Sequence, residues 1–165
     1  MYDKILVPVD ASPTSDAGLA EAVRLARLSG GRLRLLHVVQ DLSHMAEALA
    51  YTDSPDALMD GVPYGDALLA RLGDLVALDG VSVDTVLIEG SGNTIHELVA
   101  DQAEAWGADI VVLGTHGRSG LGRVVLGSVA EQIVRRAVTP VLLVRCAEED
   151  QAAEPGLQSI AAAIA

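Results

Sequence analysis

The stretch Asp109-Ile-Val-Val-Leu-Gly114-Thr-His-Gly117-Arg-Ser-Gly-Leu-Gly-Arg-Val-Val-Leu-Gly127-Ser128-Val-Ala-Glu-Gln-Ile-Val-Arg-Arg136 reads as one strand–loop–helix unit. Residues 110–113 are a near-continuous apolar run, the pattern of a strand covered on both faces. Glycines follow at once, and residues 128–137 then carry helical character. A buried strand opening through glycines into a helix N-terminus makes an anion cradle. Its backbone N–H groups are bared where glycine lets a ligand come close, and the helix dipole adds partial positive charge. Phosphate is the anion that most often uses such a cradle.

Outward from this unit the chain alternates strand and helix. Residues 4–9 read as a strand, and Ser12-Pro13 opens a helix with Ser as N-cap and Pro at the first position. Leu19, Val23 and Ala26 share its apolar face, and Gly30-Gly31 stops it. Residues 33–39 read as a second strand. Residues 40–63 are mixed, with Ser54-Pro55 and Gly61-Val-Pro63 marking turns, and are expected to form a long loop. A helix over residues 65–78 is ended by Asp79-Gly80. In a third strand, residues 81–88, Val81, Val83, Thr85 and Leu87 face one way; Ser82, Asp84, Val86 and Ile88 face the other.

Thr94-Ile-His-Glu97 has capping-box spacing and starts a helix with Ile95, Leu98, Val99, Ala103 and Trp106 inward, ended by Gly107. Trp106 therefore reads as core and not as a stacking platform. Thr139-Pro140 precedes a fifth strand, Val141-Leu-Leu-Val144. Crossovers of these lengths imply parallel strands joined by right-handed connections. The expected fold is α/β: a doubly wound, Rossmann-like, five-stranded parallel sheet in the order 3-2-1-4-5. Residues 1–145 form one domain in this reading, and residues 146–165 an acidic, Ala-rich tail.

Composition removes several function classes. Acids outnumber bases 23 to 11, for a formal net charge of −12. Such a surface repels a phosphate backbone, so nucleic acid is a poor partner. No apolar run approaches the roughly 20 residues of a membrane span. The chain enters a strand directly from Met1, without a signal-peptide pattern, and has a single cysteine, Cys146. Both point to a cytoplasmic protein. Four scattered histidines and one cysteine do not make a zinc site.

In a doubly wound sheet the ligand crevice lies at the carboxyl ends of the strands, where strand order reverses. With this order the reversal falls between the first and fourth strands. The first ends in Pro8-Val9-Asp10 and the fourth in Leu113-Gly114, so a carboxylate and a glycine loop face each other. Simpler readings exist for each residue. Asp10 can cap the turn before Ser12-Pro13, and Ser128 with Glu131 has capping-box spacing. The glycines can serve tight turns, Arg118 and Arg123 can be solvated charges, and His116 a loop residue. Their convergence on one crevice favours a ligand.

Gly114-x₂-Gly117-x₉-Gly127-Ser128 resembles the nucleotide-binding signature of the universal stress protein family. Lys4-Ile-Leu-Val-Pro-Val-Asp10 is similar to that family's opening strand and Leu36-His37-Val38 to its second, and the likeness extends over residues 1 to about 145. It implies an adenine nucleotide alpha hydrolase-like fold with ATP in the crevice, ADP and AMP being open alternatives and Mg²⁺ or Mn²⁺ an open companion. By the resemblance, Asp10 lies on the adenosine side, Val38 offers its backbone to the adenine edge, and Pro8, Val9 and Leu113 also belong to the cofactor-binding set. Gly114 and Gly117 allow close approach of ribose and phosphates; Arg118, Gly127, Ser128 and Val129 face the phosphate chain. A departure stands at Gly90-Ser-Gly92-Asn, where relatives often place a proline.

The resemblance also implies a homodimer through the edge Val141-Leu-Leu-Val144. The function expected is nucleotide sensing in a stress response, acting through an unidentified protein partner. A nucleotide-free interaction module or a slow ATPase is the alternative. A P-loop is excluded, because Ser128 stands where Gly122-x₄-Gly127 would need lysine. The receiver-domain reading lacks a late lysine, Lys4 being the only one, and a flavin site lacks aromatic cover in a chain with no Phe. With no general base beside the loop, any hydrolysis is expected far below the roughly 1–100 s⁻¹ of kinases.

Overall fold

The computed structural model describes residues 1–40, 61–90, 92–115 and 127–146. The tail beyond Cys146 and most of the 40–63 segment therefore lie outside the described residues. Five strands and four helices alternate: β1 Lys4–Pro8, α1 Pro13–Ser29, β2 Arg32–Gln40, α2 Gly61–Leu78, β3 Val83–Gly90, α3 Ile95–Trp106, β4 Ile110–Thr115, α4 Ser128–Arg136 and β5 Val141–Arg145. The strands form one sheet in the order β3-β2-β1-β4-β5, with every pairing parallel. This is the α/β sheet that the alternating punctuation predicts.

Strand alternation sorts the apolar residues onto two faces. Ile5, Val7, Leu33, Leu35 and Val112 pack with Leu19, Val23 and Ala26 of α1 and Leu68, Leu72 and Val76 of α2. Leu6, Leu36, Val111 and Leu113 pack with Val99 and Ala103 of α3 and Ile133 of α4. Local signals fix the helix ends. Ser12 caps α1, its Oγ accepting from the Ser15 N–H at 3.2 Å. Gly30 and Gly107 close α1 and α3 in the left-handed conformation, at φ 72° and 68°. At the start of α3 the Glu97 carboxylate accepts from the Thr94 N–H at 3.1 Å, the backward half of a capping box.

Three expectations need correction. The helix expected from residue 65 begins at Gly61. Pro63 falls in its first turn, where the missing N–H has no intrahelical acceptor to lose, so the proline starts the helix instead of ending a loop. The third strand begins at Val83, not at residue 81. Trp106 is half-buried at the rim of the second core, and cations cover it: the Arg34 guanidinium lies 4.4 Å from the ring centroid and that of Arg32 5.5 Å. Arg34 is held in place by a two-point bond to Asp84, at 2.6 and 2.8 Å.

Candidate functional site

A cleft of about 290 Å³ opens at the carboxyl ends of β1 and β4, where the strand order reverses. That is the lower end of the roughly 300–1,000 Å³ typical of small-molecule sites. Pro8, Val9, Asp10, Val38, Leu113, Gly114, Gly127, Ser128 and Val129 all line it. Gly117 and Arg118, with His116 and Arg123, lie outside the described residues.

One wall is the turn from β1 into α1. Asp10 Oδ1 accepts from the Ser12 N–H at 3.0 Å and from the Ser12 hydroxyl at 2.6 Å, while the Asp10 N–H donates to Ser15 Oγ at 3.2 Å. The turn-capping reading of Asp10 is thus realised, and Oδ2 takes no partner among the described residues. Between these anchors Ala11 is held at φ 61°, a left-handed conformation uncommon for a residue with a Cβ. Bonds on both sides over-determine that turn.

The middle of the cleft is an interrupted sheet ladder. Val9 N–H donates to Leu36 O at 2.9 Å, after which β1 leaves β2. The next ladder bond in this register would run from the Val38 N–H to Val9 O, but that carbonyl instead meets His37 Nδ1 at 2.6 Å. The β1-facing N–H and C=O of Val38 have no partner from β1.

The other wall is the N-terminus of α4. Gly127 is its N-cap, at φ −54° and ψ 143°, and supplies no capping side chain. The expected capping box at Ser128 is absent because Ser128 is already helical; Glu131 pairs with Arg135 at 2.8 Å. The N–H groups of Ser128, Val129 and Ala130 therefore have no acceptor among the described residues, and all three residues line the cleft. Among the described residues, a Cβ on Gly127 would touch nothing within 4 Å. Bare N–H groups on the wall of a cleft are the geometry an anion needs.

Gly114 has a different reason from the one the sequence suggests. A Cβ there would stand 1.6 Å from the carbonyl oxygen of Thr14. Its missing side chain makes room for the first turn of α1, whatever else enters the cleft.

Sequence reasoning missed Ser12, Thr14 and Ser15, whose hydroxyl groups join the cleft wall, and His37, Thr115, Ile95 and Val99. The hydroxyl run was legible as the turn directly after the strand that borders the reversal. Ile95 and Val99 carried only the i, i+4 signal of a core face.

Behind the Asp10 turn, Asp16 is buried at 7% exposure. Burial pushes its carboxyl above the usual range; Arg71 opposes the rise and Asp10 adds to it. A carboxyl raised by folding contributes stability that is complete below its unfolded value, about 3.9, and is lost as pH rises through the folded value. Asp16→Asn is therefore expected to melt above the native chain at pH 7 and to lose that advantage near pH 3. Thermal melts at both pH values check this, and a pH-independent difference would refute it.

The universal stress protein MJ0531 of Methanocaldococcus jannaschii is 32% identical over 147 residues, covering 88% of this chain and 83% of the relative. The universal stress protein UspA from Lactobacillus plantarum superposes with a TM-score of 0.69 at 28% identity, over 87% of this chain and 98% of that one. A universal stress protein solved in complex with cAMP shares the fold at 22% identity and a TM-score of 0.63, over 88% of this chain and 99% of that one. The sequence model of the universal stress protein family matches residues 1–145. The chain belongs to the universal stress protein family.

Proposed function

We propose that this protein is a cytoplasmic regulator that binds an adenine nucleotide, ATP before ADP or AMP, in the cleft between β1 and β4. The observation that carries the reading is the α4 N-terminus at Gly127, uncapped among the described residues, which lines the same cleft as the backbone edge of Val38 that β1 leaves unpaired. The first suits phosphate; the second suits a base that both donates and accepts. Apolar side chains between them, Leu113 from β4 and Ile95 and Val99 from α3, give the base a surface to lie on. The cAMP complex of a related fold supports an adenine ligand.

Among the described residues no three His, Cys, Asp or Glu side chains cluster to hold a metal. A Mg²⁺ or Mn²⁺ ion would then be carried by the phosphates. Calorimetric titration of nucleotide-stripped protein with ATP, ADP and AMP tests the reading. Micromolar binding, about −8 kcal/mol, is expected for at least one of them; a folded protein that binds none would refute it.

The signalling form in this proposal is a homodimer that presents a nucleotide-dependent surface to a protein partner. At the β5 edge, Val111 N–H donates to Pro140 O and Cys146 N–H to Thr115 O, so the alternate residues Val141 and Leu143 turn their backbone groups to the free edge. Val134 of α4 and Val138 in the turn after it are exposed, Val138 at 95%. An edge of this kind is ordinarily paired or protected. Leu143→Pro removes an outward N–H without breaking a bond to β4. Size-exclusion chromatography is expected to show folded monomers for this variant and dimers for the native chain; an unaltered dimer would locate the contact elsewhere.

A further inference from the structure

We propose that His37 is a positioning residue of the cleft: its ring occupies the Val9 carbonyl and so keeps the Val38 N–H open to the base of a purine nucleotide. The proposal rests on the nucleotide reading for its ligand, but its structural half stands without one.

Pro8 pairs with Leu36 in a parallel ladder, and the Val9 N–H still donates to Leu36 O at 2.9 Å. In a parallel ladder the same residue then accepts from the amide two places further along the partner, here Val38. Nothing in the register forbids that bond. The Val9 carbonyl is instead bonded to His37 Nδ1 at 2.6 Å. A carbonyl only accepts, so Nδ1 must carry the proton, which fixes the tautomer of the neutral ring. A side-chain donor has replaced a main-chain donor, and the main-chain donor it displaced lines the cleft.

The ring is built into place. A Cβ at Gly65 of α2 would come within 2.8 Å of His37 Cδ2 and 2.6 Å of Leu87 Cδ1. Glycine inside a helix is disfavoured against alanine, and here it makes room for the imidazole against β2. On the other side of the bond, Val9 leads into Asp10 and the left-handed Ala11. The His37 bond thus anchors the point where β1 turns away from β2 and the cleft begins.

Loss of the donor predicts a result opposite to ordinary loosening. In His37→Leu the Val9 carbonyl loses its partner, and the Val38 amide is the available replacement. The ladder should close by one step. Amide hydrogen exchange in the nucleotide-free protein is expected to slow at Val38 by about tenfold or more, whereas a merely structural role for His37 would speed it. AMP affinity should fall by about tenfold or more while inorganic triphosphate binding stays within about twofold, since the α4 N-terminus is untouched. His37→Asn places an amide donor where Nδ1 was and should restore both native values.

Unchanged or faster exchange at Val38 in a folded His37→Leu protein overturns the proposal, as does equal loss of AMP and triphosphate. If His37→Leu does not fold, His37→Asn decides: native Val38 exchange and AMP affinity support the proposal, and their loss in a folded protein overturns it. If the native chain binds no AMP, the nucleotide reading fails by itself, and the exchange rates still show whether His37 holds the ladder open.

Discussion

Gly114→Ala is expected to unfold the domain or to lower its melting temperature by roughly 10–20 °C, with no nucleotide present. The added Cβ would lie 1.6 Å from the Thr14 carbonyl oxygen and 2.3 Å from the carbonyl carbon. Both are backbone atoms of the first turn of α1, so no side chain can swing aside. Gly18 answers from the helix, where a Cβ would meet the Gly114 nitrogen at 2.7 Å. The two glycines let α1 lie directly on β4. Backbone overlap of this kind belongs with the exceptional substitutions above about 4 kcal/mol, and each kcal/mol moves the midpoint of a domain this size by roughly 2–4 °C. Circular dichroism melts of the nucleotide-free protein measure it. A native melting curve would mean that α1 is not seated on β4 as described.

Gly127→Asp should do the reverse: keep the fold and lose the ligand. Its Cβ would touch nothing within 4 Å among the described residues, and the backbone there has φ −54° and ψ 143°, a conformation that suits an N-cap aspartate. The carboxylate would accept from the bare N–H groups of α4 and interact favourably with the helix dipole, a gain of a few tenths of a kcal/mol over glycine. The same carboxylate would take the donors proposed for phosphate and add like charge. At about 4 Å with an effective dielectric of 20 that repulsion is about 4 kcal/mol. Nucleotide affinity is therefore expected to fall at least 100-fold while the melting temperature holds or rises slightly. Titration calorimetry and thermal melts on the same preparation check both. Gly127→Ser separates the contributions, since it caps the helix without the charge. Undiminished ATP binding by Gly127→Asp would place the phosphates somewhere other than the α4 N-terminus.

These two glycines show how far the pattern could be read. Both belong to one spacing, and from sequence both looked like room for a ligand. In the fold, Gly114 makes room for a helix, whereas a Cβ at Gly127 would meet no described residue within 4 Å. The difference depends on what packs opposite each Cα, and periodicity carries no information about that. Ser128 makes the same point. Its spacing to Glu131 satisfied the capping-box pattern, yet the helix begins one residue earlier than that pattern needs, and Glu131 turns to Arg135. Pro63 was ambiguous because proline serves equally in a turn and in the first turn of a helix.

The sequence by itself determined the parallel α/β sheet and the strand ends at which a cleft must lie, and the expected order 3-2-1-4-5 was met in the strand pairing. Alternating strand and helix periods, with Gly30 and Gly107 as stops, leave few topologies once crossovers are right-handed. Strands apolar on both faces, such as residues 110–113, carry no alternation to pin their register, and the pairing supplies it. Only the tertiary structure decided how the cleft is lined: which carbonyl His37 holds, which amide of β2 stays open, which glycine faces a helix and which faces the cleft. Those outcomes turn on contacts between segments distant in the chain, where a displacement of an ångström separates a hydrogen bond from a clash.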